Sequence, residues 1–359
     1  MSSVAAPQRL LVTGGAGFIG SAYVREVLGR RDGTFITVLD KLTYAGNRAN
    51  LDAVERDPDL ASRYAFVQGD IADAAVVGRL ATQVDAIVNF AAESHVDRSI
   101  LDPEAFLRTG VLGVHVLLEA LREETARSRR GERGPIRMLQ VSTDEVYGSI
   151  DEGYASEDSP MEPRSPYAAA KAAGELLASS YVTTYGVDLV ITRGSNTYGP
   201  YQHPEKLIPL FITNAIDDQP LPMYGDGLQR RDWLYVTDHA LAVDHVLRHG
   251  VSGNAYNVPG SAEHTNLDTI ETLLALLEKP ASLIRHVEDR PGHDRRYAMA
   301  GDRIAGIGWQ NQVPFEAGLR RTIEWFVANE AWWRAVRSGD FEAYYQRQYG
   351  ARLAGVTGS

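Results

Sequence analysis

Tyr167 and Lys171 lie four residues apart, a spacing that puts both side chains on one face of a helix. A free phenol titrates near ~10 and is a poor base at neutral pH. A lysine ammonium beside it, together with a second positive charge nearby, favours the phenolate. Such a pair can take the proton of an alcohol while hydride leaves the same carbon. Upstream, Ser142-Thr143-Asp144-Glu145-Val146-Tyr147-Gly148 places a hydroxyl next to two adjacent carboxyl groups. Loss of water from a carbon chain needs an acid for the departing hydroxyl and a base for the neighbouring C–H proton. Two carboxyls whose surroundings push their pKa values apart can take those roles. The same segment also reads as an acidic turn that caps a helix.

Hydride must go somewhere, and a chain without cysteine has no thiol or disulfide to receive it, so redox work falls to a bound cofactor. The glycine turn Gly14-Gly15-Ala16-Gly17-Phe18-Ile19-Gly20 supplies the place. Its spacing is that of a pyrophosphate-binding turn, in which glycine lets the backbone approach and the following helix N-terminus favours phosphate charge. Asp40, ending the next apolar run, is placed to bond ribose hydroxyls, which favours NAD over NADP. Asp70 and Ile71 fit a cap near the adenine. Phe90, Ala91, Ala92 and Ser94 offer small residues where backbone must come close, although the alanines read equally well as helix–sheet packing.

Positioning these groups requires a parallel sheet. Runs rich in valine and isoleucine alternate with helical patterns, which predicts a Rossmann-type, doubly wound α/β fold. Strands are expected at residues 9–13, 35–40, 64–68, 86–90, 136–142 and 188–193. Helices are expected at 18–29, 73–82, 111–125 and 167–185, the last begun by Ser165-Pro166, a good cap and first-turn pair. Past Arg193 the pattern changes, with proline, glycine and tyrosine frequent through residues 198–227. The expected division is an NAD-binding domain over 1–193, with later returning segments at about 230–260. A smaller C-terminal α/β substrate-binding lobe, 194–359, is interleaved with it, and a strand near 254–258 is expected to rejoin the main sheet. The basic run 127–137 reads as a solvated loop, and Trp325, Trp332 and Trp333 as packing of the terminal helices.

The 359 residues carry a net charge of −11, which disfavours nucleic-acid binding because phosphate contacts need a basic surface. The N-terminus has no signal-peptide pattern and no run reaches the length of a membrane span, so a cytoplasmic location is expected. None of the nine histidines has carboxylate neighbours spaced as a metal site; His95 and His203 are expected to line the pocket.

Taken together the motifs resemble the dTDP-glucose 4,6-dehydratases, of the extended short-chain dehydrogenases. GGAGFIG, DKLTYAGN, AAESHVDRSI, STDEVYG, SPYAAAK, NTYGPYQHPEKLIP, GDGLQRRDWLYVTDH and DRPGHD follow one another in the family's order from about Leu11 to Asp294. The resemblance implies that Thr143 bonds the sugar's 4-hydroxyl and that Tyr167, with Lys171, deprotonates it. Glu145 would remove the proton on carbon 5, and Asp144 would protonate the hydroxyl leaving carbon 6. It assigns cofactor contacts to Phe18, Ile19, Asp40, Lys41, Leu42, Thr43, Asp70, Ile71, Ser94, Thr109, Tyr167 and Lys171. Thr197 stands where the family commonly has asparagine, with a backbone contact expected to survive. It assigns nucleotide contacts to Asn196, Lys206, Leu207, Pro222, Met223, Tyr224, Arg231, Asn266, Asp289, Arg290 and His293, with Ser94 and Thr143 nearer the sugar. Lys206 and Arg231 can neutralise a diphosphate, and Arg296 would add a third cation. A homodimer joined through the helices at 111–125 and 167–185 is also implied.

Three rivals remain on the same residues. A UDP-sugar 4-epimerase or decarboxylase needs no acid pair at 144–145. A UDP-glucose 4,6-dehydratase would keep both carboxyls. A silent nucleotide-sugar-binding protein would not need Thr143, Asp144, Glu145, Tyr167 and Lys171 together.

Overall fold

In the computed structural model, which describes residues 8–289, 293–338, 340–350 and 352–353, six strands alternate with helices through the first half. They are β1 (Arg9–Thr13), β2 (Phe35–Asp40), β3 (Tyr64–Gln68), β4 (Ala86–Asn89), β5 (Arg137–Thr143) and β6 (Asp188–Gly194). The second half adds β7 (Asn196–Tyr198), β8 (Leu221–Tyr224), β9 (Arg230–Tyr235), β10 (Ala255–Val258), β11 (Glu263–Thr265) and β12 (Ile284–Val287). Every residue of β4, and all of β1 but Arg9, is buried, as befits strands covered on both faces.

The main sheet has seven parallel strands in the order β10-β6-β5-β4-β1-β2-β3. The order reverses between β1 and β4, and ligands in such sheets bind beyond the carboxyl ends of the strands at that reversal. The expected returning strand is β10, in register beside β6. What returns is Val236–Val258: the helix Val236–His249 packs on the helix Phe18–Gly29, whereas β9 joins a separate three-stranded sheet with β7 and β11. A two-stranded sheet, β12 with β8, completes the second lobe. One apolar core lies on each face of the main sheet, and a third fills the second lobe around Phe211, Trp233, Phe315 and Trp333. Trp333 is buried in that third core, with Trp325 and Trp332 packed at its edge.

Local signals set the helices. Asp73 caps Ala74–Ala81 by accepting from the amides of Ala75 and Val76, and Ser165 caps Pro166–Tyr185 by accepting from Ala168. The long helix expected from Val111 begins earlier: a π-helical turn, Arg108–Gly113, feeds Val114–Arg129. That turn carries Thr109 to the wall of the main cleft.

The basic run is a solvated loop only in part: residues 130–135 form a largely exposed turn, while Arg133 and the arginines at its edges are engaged. Arg127 and Arg129 end the helix, Arg133 pairs with Glu124 at 2.6 Å, and Arg137 on β5 pairs with Asp188 at 2.9 Å. Arg133 and Arg137 also cap carbonyls at Ala81, Leu247 and Gly250, so this run ties strand and helix ends together. Among the described residues no helix is long and apolar enough to cross a membrane.

Candidate active site

β1 ends in the glycine turn, and the turn leaves no room for side chains. Gly14 has φ of 70°, and a Cβ there would fall 2.6 Å from the amide nitrogen of Ala91 at the end of β4. A Cβ on Gly20 would strike the carbonyl of Gly14. The turn and the start of the helix Phe18–Gly29 therefore present bare backbone to one continuous cleft, the cradle that a pyrophosphate requires. Asp40 closes the cradle at the end of β2. It accepts from the amides of Ala16 at 2.9 Å and Leu42 at 2.8 Å, so it also latches the glycine turn. Burial raises its pKa against the opposing pull of those two amides.

Gly14, Gly17, Phe18, Ile19, Gly20, Asp40, Lys41, Thr43, Asp70 and Ile71 line this half of the cleft, with Phe90, Ala91, Ala92, Ser94 and Thr109. Lys41 pairs with Asp70 at 2.9 Å. Leu42 departs from expectation: its φ is 58° and its side chain packs into the core behind the loop, off the cleft wall.

The cleft continues to the carboxyl ends of β5 and β6, where Thr143, Asp144, Glu145, Tyr167 and Lys171 come together. Thr143 Oγ1 lies 3.1 Å from Asp144 Oδ1 and 3.3 Å from the amide of Glu145. Burial, reinforced by the neighbouring Glu145 charge, pushes the Asp144 carboxyl up to about 8 despite its bond to Thr143. At neutral pH Asp144 is therefore an acid still holding its proton. Tyr167 and Lys171 face the same space from the helix Pro166–Tyr185.

Their electrostatics differ from the simple pairing that the spacing suggests. Burial raises the Tyr167 phenol well above its ordinary value, and the Glu145 charge raises it further, joined by Asp144 once that carboxyl ionises; the bond to Thr143 opposes them. Lys171 donates to the carbonyl of Val141 at 2.6 Å, and burial lowers its pKa to about 8 against the pull of Glu175. The ammonium thus spends one of its three hydrogens on β5, and the phenol needs further positive charge before it can act as a base.

Beyond this centre the second lobe supplies Asn196, Lys206, Leu207, Pro222, Met223, Tyr224, Arg231, Asn266 and His293 to the wall. Arg231 is buried beneath the carbonyls of Arg230 and Asp294 and lies over the Tyr297 ring, with its centre 4.4 Å away. Lys206 donates to the carbonyl of Ser94 at 2.5 Å, joining the two lobes. The Oδ1 atoms of Asn196 and Asn266 are buried without a protein partner among the described residues, as expected of groups kept for a polar ligand.

Two expected contacts stand elsewhere. Arg296 points away, bound to Glu263 at 2.9 Å and to the carbonyls of Ile150 and Gly153. Asp289 sits behind the wall, accepting from Gln229 at 2.9 Å and lying 2.6 Å from His293 Nδ1. Arg290 lies outside the described residues.

His95 and His203 line the cleft, and no cluster suited to a metal occurs among the described residues. Sequence reasoning missed Glu205, Tyr349 and His239, which also line it. Burial works to raise Glu205, but the charges of His95, His203, Arg98 and Lys206 outweigh it and hold this carboxylate down to about 2. Its neighbour Lys206 drew attention as a cation, while a lone glutamate beside it carried no signal. Thr197 Oγ1 donates to the carbonyl of Ser195 at 3.0 Å and meets His239 at 2.7 Å.

A dinucleotide cradle leading to a buried tyrosine–lysine pair is the arrangement of the extended short-chain dehydrogenases/reductases. Residues 11–322 match the model of the family described as GDP-mannose 4,6 dehydratase. The dTDP-glucose 4,6-dehydratase of Streptomyces niveus is 50% identical over 337 residues, covering 92% of this chain and 96% of its own. The crystal structure of a dTDP-glucose 4,6-dehydratase from Streptomyces venezuelae with NAD bound superposes with a TM-score of 0.85 at 49% identity, over 91% of this chain and 99% of that one. A UDP-glucose 4-epimerase of Thermus thermophilus in complex with NAD is more distant, with 32% identity and a TM-score of 0.78 over 89% of this chain and 99% of that one. The chain belongs to the dTDP-glucose 4,6-dehydratase family.

Proposed function

We propose that this protein is a hydro-lyase that converts dTDP-glucose to dTDP-4-keto-6-deoxyglucose, working as a cytoplasmic homodimer with bound NAD. The observation that carries the reading is the proton-holding Asp144 beside Glu145, on the same wall as Tyr167 and Lys171. A 4-epimerase has no departing hydroxyl and no use for such an acid. On this reading residues 1–193 with the returning Val236–Val258 segment supply the cofactor half, and the rest of 194–359 supplies the substrate half.

NAD, when bound, supplies the hydride acceptor for carbon 4 and the hydride donor for carbon 6. Its adenosine end belongs against Asp40, Asp70 and Ile71 and its pyrophosphate against the Gly14–Gly20 turn. Thr143 bonds the sugar's 4-hydroxyl and Tyr167 takes that proton, supported by Lys171. The resulting ketone acidifies the proton on carbon 5, which Glu145 removes. Asp144 gives its proton to the hydroxyl on carbon 6, which departs as water. Arg231 and Lys206 neutralise the diphosphate, and Asn196 and Asn266 offer their unpartnered oxygens to the rest of the nucleotide sugar. The fate of the hydrogen on carbon 4 tests this whole sequence.

The acid role has a pH signature. The raised pKa means that Asp144 keeps its proton below about 8 and loses it above. Turnover is expected to fall as pH rises through that value, and Asp144→Asn should lower it roughly 10²–10⁴-fold at neutral pH. A flat profile across that range, or a fully active Asp144→Asn variant, would remove Asp144 from the acid role.

The dimer reading rests on Leu107, Leu112 and Leu176, exposed on the packed helices around residues 103–113 and 166–185. Large apolar side chains left exposed on neighbouring helices suit an association surface. Leu176→Glu is expected to shift the protein to monomer in analytical ultracentrifugation. A dimer undisturbed by the added charge would place the interface elsewhere. Export of the native chain in a fractionation experiment would refute the cytoplasmic assignment.

A further inference from the structure

His239 closes the segment GDGLQRRDWLYVTDH without a role of its own there, yet it occupies the wall at the end of β6. Its ring is 2% exposed and lies against Gly194, where a Cβ would fall 2.6 Å from Nε2. The close approach requires glycine at 194, so the backbone itself holds the ring against the strand end. Nδ1 lies 2.7 Å from Thr197 Oγ1, and that hydroxyl is 3.0 Å from the carbonyl of Ser195. A carbonyl can only accept, so the single hydroxyl proton goes to Ser195 and the hydrogen between Thr197 and His239 belongs to Nδ1. Nε2 is then left with a lone pair. Burial, and after it the Lys171 charge, lower the ring's pKa to about 4, which keeps it neutral at physiological pH.

Nε2 is buried and has no partner among the described residues, although its ring lines the cleft that holds Tyr167 and Lys171. A buried acceptor left unpaired is costly, and such an atom in a ligand cleft calls for a donor from the ligand. On the NAD reading proposed above, the sheet order indicates which part of the ligand arrives. Asp40 on β2 and the turn after β1 take the adenosine and pyrophosphate, so the nicotinamide extends across β4 toward β5 and β6. At that end the ribose hydroxyls can donate or accept and suit Lys171, which only donates. The carboxamide NH₂ only donates, and a fixed acceptor selects it.

We propose that His239 is a positioning residue whose Nε2 accepts a hydrogen bond from the nicotinamide carboxamide NH₂, fixing the rotation of that ring over β6. Thr197 sets the tautomer that makes this possible.

The test is a competition read by native mass spectrometry on the full chain, with NAD and 3-acetylpyridine adenine dinucleotide at equal concentration. The analogue carries a methyl group where the amide has NH₂. The unmodified protein is expected to retain NAD in preference to the analogue by roughly 10-fold, the size of one ordinary hydrogen bond. In His239→Leu that preference should collapse towards one, through loss of NAD affinity with the analogue unaffected. His239→Gln, whose side-chain oxygen can also accept, should restore part of it. Equal weakening of both dinucleotides in His239→Leu would reduce the residue to packing and overturn the proposal, as would an undiminished preference. If His239→Leu does not fold, His239→Gln decides alone: a preference retained supports the acceptor, and one lost with the fold intact counts against it. Failure of the unmodified protein to bind either dinucleotide would instead sink the NAD reading beneath it.

Discussion

Tyr167→Phe is expected to fold, to bind NAD as before, and to lose turnover by roughly 10²–10⁴-fold. The change removes one oxygen from a side chain on a helix whose cap and packing do not depend on it. The phenol sits where burial and two carboxyls resist its ionisation, and Lys171 is engaged with the Val141 carbonyl. Ionisation therefore waits for the charge of the assembled complex, which couples proton removal to occupancy of the cleft. Steady-state turnover alongside equilibrium NAD binding checks this. Near-normal turnover would take Tyr167 out of the chemistry, and lost NAD binding would make its role structural.

The second large effect concerns Glu145. It stands next to an acid that burial keeps protonated, and that asymmetry lets two adjacent carboxyls do opposite work. Glu145→Gln keeps the shape and removes the base. Turnover should fall by roughly 10²–10⁴-fold, and the carbon 5 proton should stop exchanging with solvent. The check is deuterium incorporation in heavy water, followed by mass spectrometry of substrate and product. Normal incorporation at carbon 5 in the variant would assign the base elsewhere.

Much of this arrangement is legible in the chain itself. Two-sided burial gives β1, β2 and β4–β6 their continuous apolar runs, so period and length locate each of them to within a residue. The glycine turn, Asp40 and the Tyr167–Lys171 spacing are local patterns whose geometry follows from sequence distance, and all of them meet in one cleft.

What escaped depends on partners far apart in sequence. Leu42 lies within a motif, but a positive φ turns its side chain into the core. Arg296 looked like a third phosphate ligand, but Glu263, thirty-three positions away, claims it. Arg133 and Arg137 looked solvated like the rest of their run because the carbonyls they cap arrive from the helix Ala74–Ala81 and the helix Val236–His249. The π-helical turn at Arg108–Gly113 has no propensity signal, and its Gly110 lies close against Ala170, a neighbour sixty positions on. His239 is silent for the same reason: its meaning comes from Gly194 and Thr197, on strands some forty residues earlier.

The central claim is that hydrogen leaves carbon 4 of the sugar and comes back at carbon 6 within one active site. Purified protein, without added NAD, should be given dTDP-glucose carrying deuterium at carbon 4, and the product examined by mass spectrometry and NMR. A product lighter by one water, with the deuterium at carbon 6, is the expected result. Deuterium remaining at carbon 4, or washed out into solvent, would contradict internal hydride return and the function built upon it.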